Sequence, residues 1–381
     1  MPRHAVFFYG SLRDRTLLSL VLGRDPETLR METAALPGHA LHAVLGEGFP
    51  CVVPDPAAEA PGEVLRDVTE AELARVRFFE DEDEYDLHPM AVHTPAGPLE
   101  ALVCRPRAKT RPGAPWRFED WPETERLHLT ECAREIMALH ARGADWSDPG
   151  LWPGIRARAA ARLAAARAPS AAALTRGRAL PPALTEAVAR PFAAFFAVET
   201  HRLRLPRLAG GLTPPVARAA WLSGDAVTVL PYDPIRDEVL LITQWRAGPH
   251  ARGDAAPWPI EVIAGRLEIP EAPEAAARRE AREEAGLTLG RMERIAAYYA
   301  SPGAVAEHVT SFVAETDLSE AGGLGGLDAE AEDVLSVVMP FEAAMTMIEA
   351  AEVDTGPALV SLLWLARHRD RLRRDWRGAA G

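Results

Sequence analysis

Apolar and polar positions along this chain form two patterned blocks separated by a stretch of different composition. In the first block, residues 5–9 (Ala-Val-Phe-Phe-Tyr) are a short apolar run that reads as a strand. Thr69 followed by Glu72 has the spacing of a capping box ahead of an apolar-periodic stretch, which predicts a helix over 70–79. Two β-like runs, 87–93 and 99–105, flank Pro95-Ala96-Gly97-Pro98 and predict a hairpin. A helix over 123–142, stopped by Gly143, closes the block.

Residues 144–191 read as an inter-domain linker carrying one Ala/Arg helix, 154–167. Pro169, Gly177, Pro181, Pro182 and Pro191 then break any regular pattern. Arg156, Arg158, Arg162 and Arg167 fit a solvated helix face better than an anionic partner's site. From 192 to 375 the pattern is β-rich and then mixed. Apolar strands at 226–232 and 238–245 flank the turn Asp233-Pro234-Ile235-Arg236-Asp237, and a helix follows over 273–285. Strands near 294–300, 308–315 and 333–340 precede helices over 341–351 and 357–371. The two blocks share no repeat, so the expectation is two unlike domains, 1–143 and 192–375, of α+β and α/β class.

A chain of 381 residues fits two or three domains, and its hydrophobic fraction of 48% is ordinary for globular ones. Its net charge of −13 argues against nucleic acid, which needs a basic face. No apolar run approaches the ~20 residues that cross a bilayer, and the start lacks a signal-peptide pattern, so no membrane partner is expected. Cys51, Cys104 and Cys132 match no zinc or redox spacing and read as buried small hydrophobes in a reducing, cytoplasmic compartment.

The strongest chemical signal runs from Gly265 through Glu271 to Arg279-Glu280-Ala281-Arg282-Glu283-Glu284-Ala285-Gly286-Leu287. On a helix Glu280, Glu283 and Glu284 share one face. Three carboxylates so close repel one another unless a cation sits among them, and hard oxygen donors select Mg²⁺ or Mn²⁺. Such a metal grips pyrophosphate oxygens and favours attack of water on phosphorus. A solvated acidic helix paired with Arg278, Arg279 and Arg282 explains the charges, but not Gly265, which gives the tight turn into the motif, and Gly286 at the helix end.

This run resembles the Nudix box in full, with Ala281 where the family prefers a larger aliphatic residue. The resemblance implies an α/β/α sandwich and metal-dependent hydrolysis of a nucleoside diphosphate linked to another group. Pro302, in Ser301-Pro302-Gly303, is similar to the ADP-ribose pyrophosphatase branch, as are Leu230 to Val239, Glu261 to Gly265, and Glu330 to Asp333. By that resemblance Ala264, Glu280, Glu284 and Glu332 hold metal, with Glu283 helping to hold metal or water. Glu330 activates the water from a Gly-rich loop, 322–327, that acts as a lid. Arg218 and Arg246 bind nucleotide, although each is equally explained as a surface ion-pair partner. Pro302 belongs to the substrate site, and members of this branch are homodimers. A β-like segment at 196–205 is a candidate for the strand that crosses to the partner.

In the first block, Tyr9-Gly10-Ser11-Leu12 follows the apolar strand, a turn whose exposed N–H groups suit a carboxylate. Glu80 follows Phe78 and Phe79, so partial desolvation is expected to raise its pKa, as a general acid/base requires. Together these resemble the γ-glutamylcyclotransferase-like (AIG2-like) family over about 4–110, a small mixed β-barrel with helices. In that family the Tyr-Gly-Ser-Leu loop holds the glutamyl part of the substrate, here Tyr9, Gly10, Ser11 and Leu12. A glutamate matching Glu80 moves protons while the substrate's amine attacks its own γ-carbonyl. The chain departs from the family at Asp81, where Gly is usual. The pairing of the two domains resembles bacterial proteins associated with tellurite resistance, although no residue here argues for binding tellurium.

The leading expectation is therefore an Mg²⁺-dependent ADP-ribose diphosphatase with a cyclotransferase-like domain attached. The alternative is a non-catalytic sensor or scaffold for nucleotide or γ-glutamyl metabolites.

Overall fold

A computed structural model describes residues 3–45, 49–81, 85–107, 110–145, 148, 150–167, 181–268, 271–327 and 332–377. The chain divides into two compact units, Met1–Ala159 and Ala160–Gly381. Among the described residues no helix is long and apolar enough to cross a membrane.

The first unit contains strands β1 (Arg3–Phe8), β2 (Glu32–Val44), β3 (Pro50–Thr69), β4 (Tyr85–Thr94), β5 (Gly97–Pro106) and β6 (Pro112–Pro115). Its helices are α1 (Arg15–Leu22), α2 (Glu70–Glu80) and α3 (Glu123–His140), and α4 (Leu151–Arg167) begins in it and ends in the second unit. The sheet runs β3-β1-β5-β4-β2-β6, and β2 also pairs with β3, so five strands close on themselves. β1 and β5 are parallel while their neighbours are antiparallel, which makes the barrel mixed. Phe7, Leu36, Val64, Val92 and Val103 fill its interior. The capping box at Thr69 and Glu72 is present in full, and the β4–β5 hairpin closes with Thr94 opposite Gly97.

Closure depends on β2 and β3, which the hydrophobic pattern left unread because Pro37, Pro50, Pro54, Pro56 and Pro61 interrupt it. The chain accommodates one of these breaks with a register shift between Pro37 and His39, where Gly38 has φ 71°.

The second unit contains β7 (Leu184–Ala193), β8 (Ala197–Arg204), β9 (Val216–Leu222), β10 (Ala226–Asp233), β11 (Glu238–Gln244), β12 (Ile260–Glu261) and β13 (Ile263–Arg266). It continues with β14 (Met292–Tyr299), β15 (Val305–Ala306), β16 (His308–Glu315), β17 (Gly323–Gly325) and β18 (Val334–Pro340). Helices α5 (Ala247–Arg252), α6 (Pro273–Ala285), α7 (Phe341–Glu349) and α8 (Gly356–Arg377) complete it. The main sheet runs β14-β16-β10-β11-β18-β17, with β12 on β11 and β13 on β10.

β11 shows why its apolar run is continuous. Leu240 and Ile242 face the cluster that includes Ala276, Ala277 and Ala281 of α6, while Val239 and Leu241 face the cluster of α7 and α8. Burial on both faces requires apolar residues at every position, and the result is a helix–sheet–helix sandwich.

The segment read as a linker is more ordered than expected. α4 starts at Leu151, and its Arg158 is buried against Glu135 of α3 rather than solvated (Nη2–Oε1 2.7 Å). Arg162 reaches Glu199 at 3.4 Å. Strand β7 begins before the prolines end. It is the edge of a second sheet, β15-β9-β8-β7, and Pro191 sits at a register shift between Ala189 and Phe192. An edge strand with a bulge tolerates a residue that lacks an N–H. The remainder of the expected linker, 168–180, lies outside the described residues.

Candidate active sites

In the second unit, β13 pairs antiparallel with β10, setting Ala264 opposite Thr228 and Gly265 opposite Val227. Helix α6 starts with Pro273 in its first turn and ends at Gly286, whose φ of 64° is the left-handed cap expected from the sequence. Ala276, Ala277 and Ala281 anchor α6 to the sheet and leave Glu280, Glu283 and Glu284 on the side toward β13.

Glu284 is buried, and its carboxylate accepts from Ala264 N–H at 3.3 Å and from Gln244 Nε2 at 3.4 Å. Burial pushes its pKa up to about 8. The Ala264 hydrogen bond opposes the rise, and the charges of Glu280 and Glu332 add to it. Burial likewise pushes Glu280 up to about 7, with Arg279 opposing and Glu283 and Glu332 contributing repulsion. Glu332 thus acts on both carboxylates of the helix.

Gly265 was expected to form a tight turn, but it lies in a strand and serves close approach instead. A Cβ there would meet Glu280 Oε1 at 1.7 Å.

Arg279 organises the cluster. Its guanidinium donates to both oxygens of Glu271 (3.2 and 3.1 Å), to Glu280 Oε1 (2.7 Å), to Glu283 Oε2 (3.0 Å) and to the Arg266 carbonyl (3.1 Å). The sequence suggested only the i,i+4 pair with Glu283. The bond to Glu271, which fixes the loop before α6, required the tertiary structure.

The Gly-rich segment expected to be a lid is partly the edge strand β17, paired to β18 and packed on the end of α6. A Cβ on Gly325 would lie 2.1 Å from the Glu284 carbonyl oxygen, and Gly326 N–H donates to the Glu283 carbonyl. Glu330 lies outside the described residues.

Arg246 caps α5 and donates to Glu261 (2.8 Å), and its charge acts on Glu284. Arg218 is exposed on β9 and donates to the Ala217 carbonyl, and Pro302 is exposed in the turn before β15. Neither makes a hydrogen bond or ion pair with α6 among the described residues.

Among the described residues no three His, Cys, Asp or Glu side chains already surround one point. The donor set nevertheless fits a hard divalent cation. It includes the carboxylates of Glu280 and Glu284, of like charge and with raised pKa values, and an added cation relieves both their repulsion and their loss of hydration.

The first unit holds a cavity of about 510 Å³ lined by Tyr9, Gly10, Ser11 and Leu12 on one side and by Glu80, Tyr85 and Cys104 among others. The structure therefore brings the two sequence features together. Gly10 allows the loop to pass Pro50, whose Cγ would be 2.7 Å from a Cβ at position 10. Burial pushes Glu80 up to about 7, against a hydrogen bond from Cys104. Cys51 and Cys132 are buried as expected, but Cys104 lines the cavity and was missed, because a lone cysteine in a strand carries no local signal.

Residues 222–359 match the family model described as NUDIX domain, and residues 6–123 match that of Gamma-glutamyl cyclotransferase, AIG2-like. An ADP-ribose pyrophosphatase of Escherichia coli (strain K12) is 36% identical over 182 residues, covering 48% of this chain and 87% of the relative. An ADP-ribose pyrophosphatase of Haemophilus influenzae is 34% identical over 185 residues, 48% of this chain and 85% of the relative. A GDP-mannose pyrophosphatase of Enterobacter sp. (strain 638) is 38% identical over 149 residues, 39% of this chain and 76% of the relative.

Proposed function

The chain belongs to the Nudix family, and from that premise we propose that its C-terminal domain hydrolyses ADP-ribose, or a related nucleoside diphosphate sugar, to AMP and the sugar phosphate. The observation that carries this reading is the set of carboxylates on Glu280, Glu284 and Glu332, whose charges act on one another beside Ala264. The names of the relatives favour ADP-ribose over GDP-mannose as the first substrate to test.

Nudix hydrolases use divalent cations, and Mg²⁺, with Mn²⁺ as a substitute, suits these oxygen donors. When bound, such an ion neutralises phosphate charge and makes water a better nucleophile. Glu280, Glu284, Glu332 and the main chain of Ala264 are the proposed ligands, with Glu283 holding metal or water. Water adds to one phosphorus, the bridging P–O bond breaks, and the released proton passes to Glu330 as the proposed base. Arg246 is positioned by Glu261 to meet a phosphate. Arg218 and Pro302 are proposed to contact the nucleotide in a cytoplasmic homodimer.

The test is product analysis after incubation with ADP-ribose and Mg²⁺, beside Glu284→Gln. AMP and ribose 5-phosphate from wild type alone support the reading. Equal turnover by the variant rejects the metal assignment, and binding without hydrolysis by wild type favours the sensor. Turnover of GDP-mannose but not ADP-ribose moves the substrate.

For the N-terminal domain, the meeting of Glu80 with the Tyr9–Leu12 loop in one cavity favours a γ-glutamyl cyclotransferase. The substrate's amine forms a C–N bond to its own γ-carbonyl, and the bond to the leaving amine breaks. Glu80 carries the proton from the first nitrogen to the second.

A further inference from the structure

Resting on the cyclotransferase reading of the first unit, we infer that Trp152 of α4 is a specificity-determining residue: it walls the end of the cavity remote from Glu80 and selects γ-glutamyl compounds whose amine carries a large apolar group. The segment that matches the cyclotransferase family ends at residue 123, yet Leu129, Ile136 and Trp152 also line the cavity. This chain therefore completes its pocket with side chains of α3 and α4 that follow the matched segment. The first two show how far the cavity extends. His140, the last residue of α3, packs its ring against Phe78 of α2 with centroids 5.0 Å apart, so this end of α3 lies beside the end of α2 that carries Glu80. Ile136 is one turn back from His140, and Leu129 is two turns further, about 10 Å at 1.5 Å per residue.

Helix α4 is fastened near that remote end. His128, which precedes Leu129, donates from Nε2 to the Arg156 carbonyl at 2.8 Å. Trp152 is one turn before Arg156, whose guanidinium carbon lies 5.8 Å from the centre of its ring. Trp152 is not what anchors the helix. Leu151, Ile155 and Arg158 share one face and are buried, with Arg158 paired to Glu135 at 2.7 Å. Trp152 is turned about 100° from Leu151 around the helix axis and is only half-buried, and its ring lines the cavity.

The volume and the lining decide what fits there. The cavity of about 510 Å³ is in the range of about 300–1,000 Å³ that holds drug-sized ligands, and a glutamyl group at the Tyr9–Leu12 loop fills only part of it. Beyond the loop and Glu80, the walls include Val44, Phe49, Leu129 and Trp152, which offer no hydrogen bond. The other charged side chains of the lining are Asp81, next to Glu80, and Arg111, which is exposed at the rim. A polar substituent buried against Trp152 loses its hydration without compensation, whereas an apolar one gains by leaving water. Ring closure joins the substrate's amine to its γ-carbonyl and releases the second amine, and the apolar group leaves with that amine without changing its own bonds. Trp152 therefore holds it equally before and during the reaction, which lowers KM and leaves kcat nearly unchanged.

The test compares γ-glutamylphenylalanine with γ-glutamylglycine as substrates of the full chain, followed by release of the free amino acid. Wild type is expected to favour the phenylalanine compound by about tenfold or more in kcat/KM, chiefly through KM. Trp152→Phe keeps an aromatic wall and keeps the preference, while Trp152→Ala lowers the ratio about tenfold. A ratio in Trp152→Ala equal to that of wild type overturns the assignment, as does a wild type that favours neither compound or favours the glycine one. Trp152→Gln retains a helix-forming residue of some length but presents a polar wall, so the same loss of preference is read there if alanine unfolds the domain. Calorimetry with the same two compounds separates the inference from its premise. Tighter binding of the phenylalanine compound without turnover retains the role of Trp152 and sinks the cyclotransferase reading, and binding of neither compound sinks both.

Discussion

Gly265 and Glu280 occupy one space: a side chain of even one carbon at position 265 would lie 1.7 Å from the carboxylate oxygen of Glu280. Gly265→Ala must therefore displace Glu280 from beside β13 or bend the strand off its pairing with Val227. A misplacement of about 1 Å costs on the order of 10²-fold in rate. The expected outcome is that loss in kcat for ADP-ribose hydrolysis, with weaker Mg²⁺ activation and an unchanged far-UV spectrum. Wild-type Mg²⁺ dependence in the variant would remove Glu280 from the site.

Glu80 gives the first unit a pH-dependent stability. Its folded pKa of about 7 lies above its ordinary value of 4.5 because burial disfavours the charge. The folded form therefore keeps a proton that the unfolded chain releases. The contribution is full below about pH 4.5 and is lost as pH rises to about 7, on the order of 3 kcal/mol in all. Glu80→Gln should match wild type near pH 5 and be more stable at pH 8 in urea denaturation. A constant difference across that range would mean that Glu80 titrates normally.

Asp81 stands where the cyclotransferase-like family usually has glycine, and its backbone shows why glycine suits the position. It has φ 61° and ψ 101° at the end of α2, a conformation that crowds a Cβ. Asp81→Gly should stabilise the first unit by about 1 kcal/mol, measured as a higher denaturation midpoint. A lower midpoint would show that the side-chain contacts of Asp81 outweigh its backbone strain.

The Arg158–Glu135 pair is 1% and 0% exposed. Arg158→Ala removes the guanidinium and leaves a buried carboxylate, at a cost of about 3–5 kcal/mol. Arg158→Met fills the space, and paired with Glu135→Leu should restore stability to within about 1 kcal/mol of wild type. Equal losses for the single alanine variant and the double variant would place the effect in packing, not in charge.

Much of the second unit was legible in the sequence because its signals are local. The box on α6, the turn between β10 and β11, and the continuous apolar run of β11 are all set by residues within a few positions of one another. The same holds for the cap at Thr69 and the glycine at 286. Glu80 was legible as a desolvated carboxylate because Phe78 and Phe79 precede it directly.

Proline suppressed the reading of β2, β3 and β7, yet each of these strands absorbs it at a bulge, an end or an edge, and only pairing with a neighbour shows that the position is tolerable. The Gly-rich segment at 322–327 read as a lid because glycine is permissive, whereas Gly325 is required by the nearness of the Glu284 carbonyl.

By itself, then, the sequence determined the elements whose signals are local and the carboxylate face of α6, since helix and strand periodicity are properties of the chain's own backbone. Only the tertiary structure decided which groups share a space. Glu280 fits against Gly265, Arg279 ties α6 to Glu271, and Arg158 is withdrawn to Glu135. Each is a contact between segments brought together by sheet register and helix packing, and no local pattern in either partner encodes the distance between them.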